Sequence, residues 1–228
     1  PIVGILFFSP VFIKAQSQSD TATITLQEVA LQASKTETVQ NKLPFSLSTK
    51  NLTSFQTIYQ QLSLQEYLGS IPGLFTQNAN NYAQDLRISL RGFGSRAAFG
   101  IRGVKIIVDG IPETTPDGQG QLDNIPLGLL KSFEVLRGPS ASLYGNASGG
   151  VIYLNTLDKL EDKAAQFKVI FGSYGFQSYQ LNTSLENEKT EALIHANKTQ
   201  TNGYRKKSGF EQNLFNIKVK HLFTSQST

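Results

Sequence analysis

The most restrictive feature of this 228-residue sequence is an alternation of apolar and polar residues that runs through its last third. In residues 215–220 (FNIKVK) every second residue is apolar, residues 179–185 (YQLNTSL) repeat the pattern, and residues 192–197 follow it less cleanly. A period of two predicts β-strands with one apolar and one polar face. Strands of roughly ten residues joined by short turns suit a transmembrane β-barrel, and the same period suits an antiparallel sandwich with one wet face. The pattern alone leaves both architectures open.

The composition narrows the class of protein. The charged fraction is 17%, below the roughly 25% that is usual for soluble domains, and the low charge is typical of secreted and outer-membrane β proteins. Cysteine is absent, which excludes disulfides, thiol catalysis and cysteine-bound zinc. A net charge of +4 gives only a weak case for nucleic acid. Methionine is also absent, so we expect the chain to be a fragment that lacks its natural start.

The N-terminus resembles a sorting signal. Residues 2–13 (IVGILFFSPVFI) are apolar but too few to cross a bilayer as a helix, and small Ala15 follows them. We interpret residues 1–15 as a truncated signal peptide that is cut after Ala15, with a buried core strand or helix as the alternative. Export from the cytoplasm argues against a role with nucleic acid.

The remaining chain divides into a polar leader and a mixed α+β region. Residues 16–43 are rich in Ser, Thr and Gln and predict a flexible leader with one extended stretch at residues 23–31. From Pro44 onward the pattern predicts a helix at residues 61–68 that stops at Gly69. It predicts strands at residues 44–48, 86–91 and 103–108. Residues 132–156 (SFEVLRGPSASLYGNASGGVIYLNT) predict two further short strands with a tight connector.

Two glycine-rich stretches resemble nucleotide-binding motifs only superficially. Residues 91–100 (RGFGSRAAFG) begin like the signature of an RNA-recognition domain, but Ser95, Arg96 and Ala98 stand where aromatic or apolar residues are required. Residues 145–150 (GNASGG) lack the lysine of a phosphate-binding loop. We expect neither motif to bind nucleotides.

No constellation of residues predicts catalysis or a metal site. The neighbouring carboxylates are interpreted as solvated loop acids, because prolines break the spacing that a calcium loop needs; they are Asp109, Glu113, Asp117 and Asp123. His195 and His221 lie in strand-like segments without a nucleophile pattern. We therefore predict that the protein is not an enzyme and has no catalytic residue, metal or cofactor.

Several separate blocks resemble one family in order and spacing. The blocks LSLQEYLGSIPGLF, ISLRGFGSR, VKIIVDGIP and IPLGLLKSFEVLRGPSASLYGNASGGVIYLNT are similar to the plug domain of TonB-dependent outer-membrane receptors. The resemblance covers residues 44–157. The sequence departs from the family pattern at Lys131, Ser132 and Phe133, before Glu134, and at residues 153–154 (YL).

The resemblance implies a fold class. Residues 44–157 would form an α+β plug domain, a small mixed β-sheet with helices, which in this family fills the lumen of a 22-stranded barrel. Residues 158–228 would be the first strands of an antiparallel transmembrane β-barrel that is incomplete in this chain. The stretch FGSYGFQSYQ resembles the family's first hairpin and favours the barrel over the sandwich.

The resemblance also implies residues that fix the plug. Arg91 and Arg137 match the two family arginines that pair with carboxylates of the barrel wall, and Glu134 lies in the same motif. Arginine can make bidentate bonds to carboxylates in a confined polar lumen. The alternative is that both arginines bond only to turn carbonyls inside the plug.

Two kinds of binding segment follow from the resemblance. Loops at the outer face of the plug would contact the ligand, and their candidate residues are Gly94, Ser95, Arg96, Ala97, Ala98, Phe99, Pro112, Glu113, Thr114 and Asp117. A short leader segment, the TonB box, would pair as an added strand with the periplasmic protein TonB. The candidate box is Glu28, Val29, Ala30, Leu31, Gln32, Ala33 and Ser34, with residues 21–26 as runner-up and plain linker as the alternative for both.

The function implied is active transport at the bacterial outer membrane. The expected ligand is a ferric siderophore, another iron complex such as haem, or cobalamin, and the expected partners are TonB and outer-membrane lipid, with no nucleic acid. Two alternatives stay open, a surface adhesion or binding module without transport and a periplasmic enzyme. A soluble 228-residue fold would favour the adhesion module, and a convergent set of titrating residues would favour the enzyme.

Overall fold

The structure, a computed structural model, describes residues 46–223 apart from 54–55, 57, 79–81, 83–85, 98–99, 139–142 and 161–163. The predicted signal peptide and both TonB-box candidates lie outside the described residues. No helix in the described part of the chain is long and apolar enough to cross a membrane. The elements are, in chain order, β1 (Ser46–Asn51), α1 (Gln65–Leu68), β2 (Leu74–Gln77), β3 (Arg87–Leu90), β4 (Ile101–Arg102), β5 (Val104–Val108), β6 (Ile111–Pro112), β7 (Gln119–Gly120), a 3-10 helix (Leu127–Leu129), β8 (Leu130–Arg137), β9 (Gly150–Thr156), β10 (Ala165–Phe171), β11 (Gln177–Glu186), β12 (Thr190–Thr201) and β13 (Phe210–His221).

Residues 46–156, here called the mixed-sheet domain, are built on a five-stranded sheet in the order β1-β8-β9-β5-β6. Strands β5 and β9 are parallel and the other neighbours are antiparallel. Strand β9 lies at the centre, and all seven of its residues are buried. This burial explains why residues 151–154 (VIYL) form an unbroken apolar run, since a strand covered on both faces needs no polar side.

The two faces of β9 belong to two hydrophobic clusters. Ile152 packs in a cluster that includes Tyr67 and Leu68 of α1. Val151 points the other way and packs in a second cluster with Leu136. Full burial of each such side chain contributes about 1.5–3 kcal/mol, so the mixed-sheet domain has a hydrophobic core of its own.

The helix predicted at residues 61–68 is shorter in the structure, where α1 begins at Gln65. The Glu66 carboxylate accepts backbone N–H bonds from Gln61 at 3.2 Å, Leu62 at 2.8 Å and Ser63 at 3.1 Å. Gln61 also has a positive φ of 61°, which a helix does not accommodate. These residues therefore wrap around a carboxylate instead of forming the first turn of a helix.

Strands β10 to β13 form an antiparallel meander in which each strand pairs with the next. The strands predicted at residues 179–185 and 215–220 fall within β11 and β13. One face of the meander is polar and buried, with Ser178, Gln180, Asn182, His195 and Thr199. The other face is apolar and exposed, with Phe167, Phe171, Leu181, Phe215 and Ile217. A water-soluble sandwich buries its apolar face, so this reversed burial favours a lipid-facing barrel wall.

The meander is expected to be unstable in water when it is produced alone. Residues 166–228 would expose an apolar face and two unpaired strand edges, both of which promote association. We expect this segment to elute as aggregates in size-exclusion chromatography without detergent. A monomer with a cooperative thermal transition would contradict the lipid-facing assignment.

Candidate functional site

The mixed-sheet domain and the meander meet along a polar interface, here called the seam. Its strongest contacts surround Lys218 of β13, whose Nζ donates to Asp109 Oδ2 at 3.0 Å and to Thr156 Oγ1 at 3.0 Å. The same Nζ lies 2.7 Å from Asp158 Oδ1, and Lys220 Nζ lies 2.6 Å from Asp158 Oδ2. These five residues, the Lys218 cluster, tie the turn after β5 and the end of β9 to β13.

The Lys218 cluster is partly shielded from water. The side chains of Lys218 and Asp109 are 21% and 26% exposed, so their attraction is screened less than that of a surface pair. Partial burial raises the pKa of Asp158, but hydrogen bonds from Lys218 and Lys220 outweigh it and hold that pKa below its ordinary value. Asp158 is therefore ionised at neutral pH and serves as the counterion of both lysines.

Asp109 corrects one prediction from the sequence, because it is not merely a solvated loop acid. Its Oδ1 accepts the backbone N–H of Thr156 at 2.8 Å, and its Oδ2 accepts from the Thr156 hydroxyl and from Lys218. Asp109 also adopts a positive φ of 48° at its turn. The sequence gives no spacing that links these residues, because the three elements are far apart along the chain.

A second set of seam contacts involves the buried polar row of the meander. Gln180 Nε2 donates to Gln61 Oε1 of the mixed-sheet domain at 2.5 Å. His195 is fully buried, and its Nδ1 lies 2.6 Å from Asn182 Oδ1. Gly128 of the 3-10 helix packs against this row, since a Cβ there would lie 2.6 Å from Gln180 Oε1. The two layers therefore approach closely at Gly128, and a side chain there would displace the end of the Gln180 side chain.

The two arginines predicted to anchor the domain converge on one turn. Arg137 donates to Pro72 O at 2.7 Å and to Ser48 Oγ at 2.5 Å, and the Arg91 backbone N–H donates to Gly73 O at 2.9 Å. All three are contacts within the mixed-sheet domain. Pairing of the arginines with wall carboxylates stays a prediction.

Glu134 lies apart from Arg137 although the two are close in sequence. Alternate residues of a strand point to opposite faces, so Glu134 shares the face of Leu136 while Arg137 points the other way. Glu134 is buried and accepts a 3.4 Å bond from Asn155 Nδ2 of the neighbouring strand. The structure therefore places Glu134 in the sheet and not beside the arginine.

The two predicted ligand loops meet through the short β4–β7 pair. Arg102 of β4 pairs with Gln119 of β7, and an exposed ion pair of 4.0 Å joins Arg102 to Asp117. A hydrogen bond from Thr115 is the main reason why the pKa of Asp117 lies below its ordinary value. Thr114 is buried and its Oγ1 accepts the N–H of Ile106 at 2.8 Å, so this side chain supports the loop.

The side chain of Arg87 supports the first ligand loop, whose candidate residues begin at Gly94. Its Nη2 donates to the carbonyl oxygens of Ser95 at 3.2 Å and Ala97 at 3.3 Å. Two further candidates of this loop, Gly94 and Arg96, are among the described residues, whereas Ala98 and Phe99 are not. Pro112 and Glu113 open the second loop and are exposed or half-buried.

Sequence reasoning did not predict a contact between the β2–β3 connection and the meander. The rings of Tyr82 and Phe210 lie 5.9 Å apart, and Gln212 Nε2 donates to Asp123 O at 2.7 Å. A cavity of about 50 Å³ lies between these groups, and Asn78, whose buried Oδ1 has no partner among the described residues, also lines it. No sequence spacing signals this contact.

The described residues contain no group of three or more His, Cys, Asp or Glu that could hold a metal ion. The geometry thus consists of an exposed loop pair, an exposed turn on which Arg91 and Arg137 converge, and a polar seam.

Comparison with known families identifies the mixed-sheet domain. Residues 39–151 match the family model described as the TonB-dependent Receptor Plug Domain. This range contains the first three of the four resembling blocks and the fourth as far as Val151.

Solved structures extend the likeness into the meander. The siderophore receptor PirA from Acinetobacter baumannii matches with a TM-score of 0.58 and 21% identity over 79% of this chain and 30% of its own. PirA from Pseudomonas aeruginosa matches with a TM-score of 0.54 and 21% identity, over 81% of this chain and 33% of its own. The ferric yersiniabactin uptake receptor FyuA from Yersinia pestis matches with a TM-score of 0.54 and 22% identity, over 77% of this chain and 28% of its own. The chain spans about a third of the length of these receptors, and the predicted fold class, a plug followed by the start of an antiparallel barrel, is confirmed with few helices.

Proposed function

Since the chain belongs to the TonB-dependent receptors and carries their plug domain with the first barrel strands, we propose that it gates energised uptake of a scarce ligand across the bacterial outer membrane. The observation that carries the proposal is the reversed burial of the meander, whose apolar face is exposed and whose polar face is covered by the plug. Such a wall needs lipid on one side and a polar filling on the other.

The chemistry of the seam suits a plug that has to move. Its contacts are hydrogen bonds and ion pairs, such as Gln180 with Gln61 and Lys218 with Asp109. Polar contacts of this kind can be exchanged for water, whereas separating two apolar surfaces costs about 25 cal/mol per Å². The seam therefore holds the plug largely by polar contacts that water can replace, and the ring contact between Tyr82 and Phe210 adds an aromatic one.

The division of labour along the chain follows from this function. Residues 1–15 direct export, residues 16–43 form the periplasmic leader with the TonB box, residues 44–157 form the plug, and residues 158–228 begin the barrel. Ligand binding at the two loops joined by β4 and β7 releases the leader. Residues 28–34 then add as a strand to TonB, which supplies energy from the inner membrane.

We propose a ferric siderophore or another iron complex as the ligand. The support is the likeness to solved siderophore receptors, which shows the fold only. The loop pair adds polar groups at its surface, among them Arg102 and Asp117, which are both exposed. Cobalamin and haem would use the same loops and are separated from siderophores by direct uptake measurements.

The leader provides the decisive test of transport. Strand addition depends on backbone N–H and C=O groups, so Val29→Pro or Leu31→Pro should remove a donor and break the extended register. In the full-length receptor we expect either change to abolish energy-dependent uptake of a labelled ferric siderophore. Surface binding of the same label should stay intact, because the change lies in the segment proposed to pair with TonB and not in the ligand loops.

Proline at Thr23 or Thr25 is the matched control, since it separates the two candidate boxes. Loss of uptake only in these two variants would move the box to residues 21–26. Uptake in all four variants would contradict the leader as the coupling segment, and joint loss of binding and uptake would indicate misfolding.

A further inference from the structure

The two ends of the meander differ in charge. At the end with the β11–β12 turn, lysines and carboxylates balance and form pairs, such as Lys159 with Glu186 at 2.7 Å and Lys220 with Asp158 at 2.6 Å. At the end with the β12–β13 connection, four cations accompany one carboxylate, Glu211, among the described residues of β12, β13 and their connection, and Asp123 of the plug lies nearby. The cations at this end, here called the basic rim, are Lys198, Arg205, Lys206 and Lys207.

The basic rim begins where the exposed apolar face ends on β12 and β13, while Phe171 extends that face one row further on β10. Lys198 pairs in register with Tyr179, one row beyond the pair of Leu181 and Ala196. Its side chain is 52% exposed and lies 3.0 Å from Glu211. A cation at the margin of a lipid-facing band lies at the level of the lipid headgroups.

Aromatic rings mark the same level. Tyr174 and Tyr204 are 64% and 53% exposed, and their ring centroids lie 6.1 Å apart. The Arg205 guanidinium lies 5.4 Å from the centroid of the Tyr204 ring. Exposed tyrosines next to arginine are typical of membrane–water interfaces, where the ring meets the acyl boundary and the charge meets the headgroup.

A closed turn presents the two lysines at the tip of the rim. Ser208 Oγ accepts the Arg205 backbone N–H at 3.1 Å and donates to the Arg205 carbonyl at 2.8 Å. Lys206 and Lys207 stand between these bonds and are exposed. Neither lysine pairs with a carboxylate among the described residues, so their charge is not compensated within the described chain.

The side of the membrane follows from the plug. Gln212, near the start of β13, bonds to Asp123 O at 2.7 Å, and Asp123 follows the second ligand loop directly. The Lys218 cluster lies at the opposite end of β13. The basic rim is therefore on the side of the ligand loops, which is the outer side under the proposed function.

We propose that the basic rim binds the phosphate groups of anionic lipids in the outer leaflet. This inference rests on the proposed function for the side of the membrane. The occupant is a lipid and not a soluble anion, because the cations continue an exposed apolar face and share their level with the Tyr174–Tyr204 pair. Each such cation near a charged membrane surface contributes enough to change binding severalfold.

The test compares K206Q/K207Q with the wild type in the full-length receptor. Detergent-solubilised receptor is titrated with fluorescent diphosphoryl lipid A, with phosphatidylcholine as the neutral lipid. We expect the double variant to bind diphosphoryl lipid A about tenfold more weakly and phosphatidylcholine equally well. K189Q, which removes a lysine at the opposite end of the meander, should bind like the wild type.

Three results would overturn the inference. They are equal binding of both lipids by the wild type, an unchanged affinity in K206Q/K207Q, and loss of ferric siderophore binding in that variant without loss of lipid binding. Displacement of lipid A by millimolar inorganic phosphate would also assign the rim to soluble anions. Failure of the wild type to insert into phosphatidylcholine vesicles would contradict the proposed function itself, which separates the two failures.

Discussion

Gly150→Ala is expected to destabilise the plug strongly. Gly150 begins the central strand β9 with a φ of 148°, and a Cβ there would overlap with the Leu136 carbonyl oxygen and the Leu90 side chain. Overpacking of a core typically costs 1–3 kcal/mol and a strained φ a similar amount, so we expect a loss of about 3–5 kcal/mol. Typical domains are stable by only about 5–15 kcal/mol.

The measurement is urea unfolding of residues 44–157, which carry a hydrophobic core of their own. Gly145→Ala is the matched control, because Gly145 also has a positive φ, of 56°, but no atom lies within 4 Å of the added Cβ. Only the backbone strain of about 1 kcal/mol applies there. Equal unfolding midpoints for the two variants would show that the close approach at Gly150 does not constrain the sheet.

Lys218→Ala is expected to loosen the plug from the wall. The change removes three contacts and leaves the carboxylates of Asp109 and Asp158 near each other without their shared cation. A fully buried pair broken in this way loses about 3–5 kcal/mol. Because these side chains are 21–40% exposed, we expect about 2 kcal/mol.

The readout is protease cleavage of the plug in the full-length receptor, together with entry of a bulky antibiotic into intact cells. Lys159→Ala is the matched control, since Lys159 also lies 2.7 Å from a carboxylate, that of Glu186, but these side chains are 43% and 53% exposed. Exposed pairs contribute at most about 1 kcal/mol. Equal protection of the plug in the two variants would mean that the Lys218 cluster does not hold it.

The same comparison has a pH signature. Because the pKa of Asp158 is lowered in the folded protein, its stabilising effect is complete above the ordinary value of 3.8 and is lost as the pH falls through the folded value. We expect wild type and Lys218→Ala to differ at pH 7 and to converge below about pH 3.8. A constant difference down to pH 2 would exclude Asp158 as the partner that matters.

The strands of the fold were predictable because their patterns are local. Alternation within residues 215–220 fixes which side chains share a face, and the apolar run at residues 151–154 fixes a buried strand. Alternation does not say which face meets water, however. Leu181 and Phe215 are exposed while Gln180 is buried, and only the resemblance to a barrel family favoured that arrangement.

The seam could not be predicted from local pattern. The sequence shows that Lys218 lies on the polar face of β13, but its partner Asp109 comes from a turn on another domain. The late start of the predicted helix has a similar cause, since Glu66 binds backbone N–H groups that its own segment would otherwise use in a helix. Contacts of this kind depend on the tertiary arrangement and leave no period in the sequence.

The pairing of the five-stranded sheet sets the order in which the two parts of the chain can fold. Strand β1 pairs with β8, so the pair of Ser46 and Arg137 joins residues that are far apart in sequence. Every pair in the meander joins strands that are consecutive in sequence. Contacts between distant residues cost more loop-closure entropy and form more slowly. The plug is synthesised first, yet its first strand has no partner until β8 exists, and its sheet is expected to close more slowly than the wall hairpins that follow it.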